Sequence, residues 1–102
     1  MIILATIWYP LNRGIDLAKL YLKLPREIPY VTKWRVFNTA GGLDGYKQYH
    51  LFYTEKGKGE EAILEISKFF MPIVNEIEGL RLQNEILMGI TDTYNMIGMK
   101  FE

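Results

Sequence analysis

The spacing of apolar residues changes along this chain in a set order, and that order limits the folds that are open to it. Short β-branched runs, and apolar residues that alternate with polar ones, are typical of strands. Four segments have this pattern: Ile2–Tyr9, Tyr30–Asn38, Tyr46–Thr54 and Leu80–Ile90. Two other segments repeat apolar residues at steps of three and four, which predicts amphipathic helices over Ile15–Leu24 and around Ile63–Ile77.

Prolines and glycines mark where these elements end. Pro25 ends the first helix, because the residue before a proline is pushed out of the helical region. Pro72 lies inside the second helix and should kink or split it, since its ring removes one backbone hydrogen bond. Gly79 is expected to cap that helix. In the stretch "TAGGLDG", Asp44 and Gly45 predict a hairpin loop between the second and third strands.

The element order, β-α-β-β-α-β, predicts an α+β fold of the ferredoxin-like type. Two helices cannot cover both faces of a four-stranded sheet, so we expect both on one face, with the first and third strands in the centre. At 102 residues the chain is expected to form one domain, 1–102. Its last residues, 91–102, are too apolar for a free end and are expected to form a packed C-terminal tail, with the partner subunit as a candidate surface.

The apolar content predicts self-association. Hydrophobic residues make up 49% of the chain, yet a domain of this size leaves a large share of its residues at the surface. Large exposed apolar patches are rare on monomers. We therefore expect the uncovered sheet face to meet a second copy of the chain, in a homodimer or a higher oligomer.

Charge and cysteine content argue against several function classes. Twelve basic and twelve acidic side chains cancel, whereas nucleic-acid binding relies on a positive surplus, so no nucleic-acid partner is expected. The absence of cysteine excludes thiol nucleophiles and thiolate zinc sites, and no metal or cofactor is predicted. The opening "MIILATIWYP" lacks a basic leader and is too short to span a bilayer. These features favour a cytoplasmic protein with no membrane partner.

The element order and length resemble the dimeric α+β-barrel superfamily over nearly the whole chain. Members of that superfamily pack two ferredoxin-like sheets face to face, and a C-terminal extension often reaches onto the partner. They include cofactor-free monooxygenases, isomerase-like enzymes, haem-binding proteins and effector-binding domains. The resemblance therefore implies a homodimeric small-molecule-binding protein, compatible with a cofactor-free monooxygenase- or isomerase-like enzyme. Haem-binding members supply a histidine from a helix, whereas His50 lies on a predicted strand.

The pairing register of the second and third strands decides which side chains share a face. Residue numbers paired across an antiparallel hairpin add to a constant, and its parity sets the faces. An odd constant pairs Trp34 with Tyr49 and leaves one face apolar, whereas an even constant brings Trp34 to the side of His50. We predict the odd register, because it separates apolar from polar side chains.

The odd register gathers a set of functional candidates on the sheet face away from the helices. These are Thr6, Trp8, Lys33, Arg35, Gln48, His50, Gln83 and Glu85. Charges buried there need partners or a ligand. In the functional interpretation, Lys33 and Arg35 bind an anionic oxygen of a partly apolar or aromatic ligand. His50 moves a proton and Glu85 orients it or acts as the base, which makes both catalytic candidates. Trp8, Gln48 and Gln83 complete the ligand site.

Two alternatives stay open. The same side chains can form interfacial salt bridges that only set the dimer interface, which makes the chain a structural or interaction module without chemistry. The pocket can also lie between the sheet and the helices, where tyrosine hydroxyls can line a second cleft.

Overall fold

Within residues 1–39 and 46–101, which the computed structural model describes, a four-stranded antiparallel sheet and three α-helices form an α+β fold. The predicted hairpin turn at Asp44 and Gly45 lies outside the described residues. The elements in chain order are β1 (Ile2–Tyr9), a 3-10 turn (Leu11–Arg13), α1 (Gly14–Leu22), β2 (Val31–Asn38), β3 (Tyr46–Thr54), α2 (Gly59–Glu76), β4 (Arg81–Leu87) and α3 (Ile90–Met96).

The strand order across the sheet is β2-β3-β1-β4, so β1 and β3 lie at the centre, as the sequence predicts. β1 pairs antiparallel with β3 and β4, and β2 pairs antiparallel with β3. This arrangement is compatible with a ferredoxin-like topology.

The central strands have their predicted bounds, whereas both edge strands are shorter than predicted. β2 begins at Val31 because Tyr30 has a φ of 68°, a left-handed conformation that a strand cannot accommodate. β4 ends at Leu87, and the chain turns into α3 three residues later.

α2 runs without a break from Gly59 to Glu76 with Pro72 inside it, so the alternative of a split helix is wrong. Phe70 and Ile73, on either side of Pro72, are 1% and 0% exposed. Their burial against the sheet holds the helix together where the proline removes a backbone hydrogen bond. The prediction that Gly79 caps the helix is wrong, because the cap is Ile77, and Gly79 lies two residues further on in a turn, with a φ of 85°.

The C-terminal tail contains α3, a helix that the sequence pattern did not indicate. None of the residues Ile90–Met96 is buried, and Met96 and Ile97 are 67% and 59% exposed. The tail is thus exposed in the single chain, and its packing on a partner subunit stays a prediction. None of the helices formed by the described residues has the length and apolar character that a membrane crossing needs.

The hydrophobic core lies between one sheet face and the helices α1 and α2. β1 contributes Ile3, Ala5 and Ile7, and the helices contribute Leu17 of α1 and a buried row on α2. On β4, Leu82 packs against this core. Ile86 pairs with Ile3 and so shares the helix side, but it is 61% exposed, since β4 is an edge strand.

The predicted register between β2 and β3 is wrong. The observed pairs are Trp34–Phe52, Val36–His50 and Asn38–Gln48, whose numbers add to an even constant. An irregularity between Val31 and Lys33 accompanies this pairing. Gln48 and His50 therefore lie on the helix side of the sheet, on the opposite face from Lys33 and Arg35.

The sheet face opposite α1 and α2, here called the outer face, shows why separation of apolar from polar side chains was a poor guide. Its cations lie over aromatic rings, which accommodates both kinds of side chain on one surface. The pairs are Lys33–Tyr53, Arg35–Phe37, Lys47–Tyr49 and Arg81–Trp8, with 5.1 to 5.9 Å between the cation and the ring centroid.

Candidate functional site

The structure divides the predicted site residues between the two faces of the sheet. Six of them share the outer face, as the pairing of β1 with β3 and β4 requires: Thr6, Trp8, Lys33, Arg35, Gln83 and Glu85. Gln48 and His50 lie on the helix side. The predicted proximity of His50 and Glu85 is therefore wrong, because Glu85 pairs with Leu4 and faces away from the helices. The catalytic roles of these two residues stay predictions.

His50 is 0% exposed and lies at the centre of an aromatic cluster. Its ring stacks on Tyr21 of α1 and on Phe52 of β3, with centroids 5.7 and 5.9 Å apart. Phe70 of α2 meets it edge-on at 5.0 Å, and Trp34 of β2 lies at 5.9 Å. Side chains from both helices and two strands thus fix the plane of the imidazole.

Both imidazole nitrogens have hydrogen-bond partners. The indole Nε1–H of Trp34 donates to His50 Nδ1 at 3.0 Å. His50 Nε2 lies 2.6 Å from Gln48 Oε1, and Gln48 Nε2 donates to Asn38 Oδ1 at 3.0 Å. The Tyr21 hydroxyl is 3.5 Å from His50 Nδ1, a longer contact to a nitrogen that Trp34 already occupies. A chain of polar contacts thus runs from the half-buried Trp34 to the exposed end of β2.

Burial sets the protonation state of this histidine. Removal from water disfavours the charged imidazolium and lowers the pKa of His50 from 6.5 to about 4. At neutral pH the ring is neutral, with one nitrogen that donates and one that accepts. This pKa is well below the value near neutrality that the predicted proton-transfer role requires.

A cleft of about 310 Å³ opens between α1 and the sheet beside this chain of contacts. We call it the α1 cleft. Its lining residues come from β1, the start and middle of α1, β2 and β3: Tyr9, Gly14, Leu17, Ala18, Tyr21, Asn38 and Gln48. None of these described residues carries a charge at neutral pH. Polar Gln48 and Asn38 line the cleft together with apolar Leu17 and Ala18, a combination that suits a small organic ligand.

The two tyrosines of the cleft keep their protons. Burial raises the pKa of Tyr21 to about 12. Burial, and to a lesser extent the nearby Tyr46, also raises the pKa of Tyr9, and the rings of Tyr9 and Tyr46 lie 5.7 Å apart. Both hydroxyl groups in the cleft are therefore available as hydrogen-bond donors at neutral pH.

Sequence reasoning identified the location of such a cleft as an alternative but missed most of its residues. Tyr21 belongs to the apolar stripe of the first predicted helix, and Asn38 ends a predicted strand. One available signal was the pair Gln48 and His50, which are two residues apart on a strand and so share a face. Trp34 and Tyr21 join them only through the tertiary packing of β2 and α1.

Among the described residues, no three histidine or acidic side chains come together in the way a metal ion would require. Comparisons with models of protein families, with curated proteins and with solved structures found no match to the chain.

Proposed function

We propose that the chain is a small-molecule-binding protein and that its ligand occupies the α1 cleft. The observation that supports this most is the uncharged cleft of about 310 Å³, whose lining combines polar Gln48 and Asn38 with apolar Leu17 and Ala18. This volume is at the lower end of the range for ligand pockets, so a small ligand fits best.

The support for binding comes from the fixed orientation of the cleft's polar groups. Gln48 is held on one side by His50 and on the other by Asn38. A side chain that is already ordered loses little entropy when a ligand arrives. Because His50 is neutral at pH 7 and directed at Gln48, its contribution is to position that amide. A catalytic extension of this proposal would need a base from the ligand or from another group.

The proposal is tested with three small aromatic compounds, acetophenone, toluene and benzylamine, added to isotope-labelled protein. We expect at least one of them to shift the NMR signals of Gln48, Asn38 and Tyr21. Ala18→Phe places a ring in the cleft from an exposed position on α1, so we expect it to abolish these shifts while the fold is kept. Arg35→Ala, on the outer face, is the matched control and should leave them unchanged.

Two results would count against the cleft. One is an absence of shifts in the cleft residues with all three compounds at millimolar concentration. The other is equal loss of the shifts in Ala18→Phe and Arg35→Ala, which would place the binding site elsewhere.

A second candidate function is self-association, and the C-terminal segment, residues 86–101, favours it. Large apolar side chains in this segment are between 37% and 67% exposed: Ile86, Leu87, Met88, Ile90, Met96, Ile97, Met99 and Phe101. Large exposed apolar patches are rare on monomers, and these eight side chains lie within one short segment of the chain. We propose that this segment packs on a second copy of the chain, with a ferredoxin-like sheet in each copy, as in a dimeric α+β barrel. Such a dimer is compatible with a ligand in the α1 cleft, because none of these residues lines that cleft.

A further inference from the structure

A chain of hydrogen bonds runs behind the α1 cleft from Trp34 to Asn38, and Trp34, at its inner end, sets the direction of these bonds. An indole N–H can donate a hydrogen bond and has no acceptor atom. Since Trp34 Nε1 lies 3.0 Å from His50 Nδ1, that nitrogen must be the unprotonated one. The proton of the neutral imidazole is therefore on Nε2, which is 2.6 Å from Gln48.

The directions of the next two hydrogen bonds, from His50 to Gln48 and from Gln48 to Asn38, follow in the same way. His50 Nε2–H donates, so the atom of Gln48 that it meets must be the amide oxygen. The amide nitrogen of Gln48 then points to Asn38 and donates to its Oδ1 at 3.0 Å. This leaves the Asn38 amide nitrogen as the outer end of the chain. Each orientation follows from the one before it and finally from the indole.

We infer that the α1 cleft selects an uncharged ligand that has an oxygen acceptor, such as a ketone or amide carbonyl; the inference depends on the proposed function of the cleft. Gln48, Asn38, Tyr9 and Tyr21 all line the cleft, and their amide nitrogens and hydroxyl groups are hydrogen-bond donors. A ligand that has only donors would leave the remaining amide N–H bonds of Gln48 and Asn38 unpaired, which is costly where the ligand excludes water.

Charge narrows the ligand class further. The described residues that line the cleft carry no positive side chain that would compensate an anion. A cation would face donors that are already oriented by the chain. Burial of an ion without a partner is unfavourable in either case. The predicted anionic ligand was based on Lys33 and Arg35, and both belong to the outer face.

The inference is tested by the order of affinities for four probes of similar shape: acetophenone, toluene, benzylamine and benzoate. Acetophenone should bind most tightly, by about tenfold over toluene, which corresponds to one well-made hydrogen bond. Benzylamine, which is a cation at pH 7, and benzoate should bind more weakly than toluene. Toluene or benzylamine binding in the cleft as tightly as acetophenone would overturn the inference and leave the proposed binding site intact.

Gln48→Glu is the sharpest variant, because it keeps the shape of the side chain and replaces a donor with an acceptor. The carboxylate still accepts from His50 Nε2–H, but it cannot donate to Asn38, so the Asn38 amide should turn and present its oxygen to the cleft. We expect the order of acetophenone and benzylamine to reverse. Arg35→Ala should keep the original order. An unchanged order in a folded Gln48→Glu protein would contradict the inference.

A measurement on the unmodified protein tests the direction of the chain without any ligand. Nitrogen-15 NMR distinguishes the two neutral forms of histidine. We expect His50 to carry its proton on Nε2 at pH 7. A proton on Nδ1 would refute the direction of the chain, whatever compounds the cleft binds.

Discussion

At position 50 the core contains a histidine where its neighbours on the same layer are phenylalanines. The imidazole fills space between Phe52 and Phe70 as a phenyl ring would, and it also satisfies two polar groups. It accepts the indole hydrogen of Trp34 and meets the amide oxygen of Gln48. Because buried polar groups need partners, Trp34, His50 and Gln48 depend on one another. The histidine thus has a structural role that extends to the wall of the cleft.

The first prediction at this scale concerns pH. The pKa of His50 is lowered from 6.5 to about 4 in the folded protein by burial. Between these two pH values the unfolded chain binds the proton and the folded chain does not, so the free energy of unfolding should rise with pH in this window. Its loss from pH 7 to below pH 4 should be about 3 kcal/mol for this one group.

Chemical denaturation at a series of pH values measures this effect. The variant His50→Gln has no group that titrates at this position. It serves as the reference because protonation of carboxylates elsewhere also lowers the free energy of unfolding in acid. We expect the difference between the two proteins to shrink steadily as the pH falls from 6.5 to 4. Parallel curves for the two proteins would contradict the burial of a neutral histidine.

At the scale of single elements, the sequence predicted existence and bounds better than pairing. β1 and β3 occupy the predicted residues, because central strands are continuous apolar or alternating runs with clear ends. The predicted register of β2 on β3 was wrong, because the prediction divided side chains between the two faces by polarity alone. Trp34 lies under the helices, with its indole satisfied by a histidine, and Arg35 lies outside on Phe37. Both facts depend on partners that no local pattern reveals.

The same comparison explains what was seen of the candidate site. The strand carrying Gln48 and His50 was identified, and so was the alternative of a cleft between sheet and helices. Tyr9, Tyr21 and Asn38 come from three separate elements, and their convergence is a property of the packed fold. A wrong parity at one hairpin was enough to place Gln48 and His50 on the wrong face in the prediction.

The end of α2 gives a prediction for one element. Gly79 has a φ of 85°, and a Cβ added there would lie 3.2 Å from Cγ of Pro10. Gly57 before the helix has a similar φ of 78°, but a Cβ there would have open space around it. Gly57→Ala should cost about 1 kcal/mol from backbone strain alone, and Gly79→Ala should cost more because of the added contact.

Thermal or urea unfolding of the two variants measures the difference. They form a matched pair, since both lose the freedom of glycine in the left-handed region. Equal destabilisation of Gly57→Ala and Gly79→Ala would show that the close approach of Pro10 adds no cost at position 79.

At the scale of the whole molecule, the two surfaces of the sheet have different compositions. The helix side carries the core and the uncharged cleft, whereas the outer face carries Lys33, Arg35, Lys47 and Arg81 over aromatic rings. The exposed apolar residues are concentrated in the C-terminal segment. Element order and apolar content predicted the layered sheet. The sequence did not indicate that α3 forms or that its apolar side chains are exposed.

Self-association through the C-terminal segment gives a prediction at this scale. Ile97 is 59% exposed in the single chain, so Ile97→Asp should leave the fold unchanged. If the segment packs on a second copy, the buried carboxylate would weaken that contact by several kcal/mol. Light scattering should then show a mass of two chains for the unmodified protein and one chain for the variant.

Leu64→Asp is the control for this experiment. Leu64 is 64% exposed on α2, away from the C-terminal segment, and its replacement should leave the mass unchanged. A single-chain mass for the unmodified protein at micromolar concentration would remove the proposed dimer. Equal effects of the two substitutions would point to a contact elsewhere.

The alternation of side chains along β2 and β3 has a practical consequence for protein engineering. Even-numbered positions of β3 look toward the helices and odd-numbered ones look outward, so one hairpin supplies two working surfaces that share a backbone and little else. A designer can recode the ligand preference at Gln48 and leave Lys47 and Tyr49 untouched, or the reverse. The ligand preference of the cleft and the composition of the outer face can in this way be altered separately, although they depend on adjacent residues.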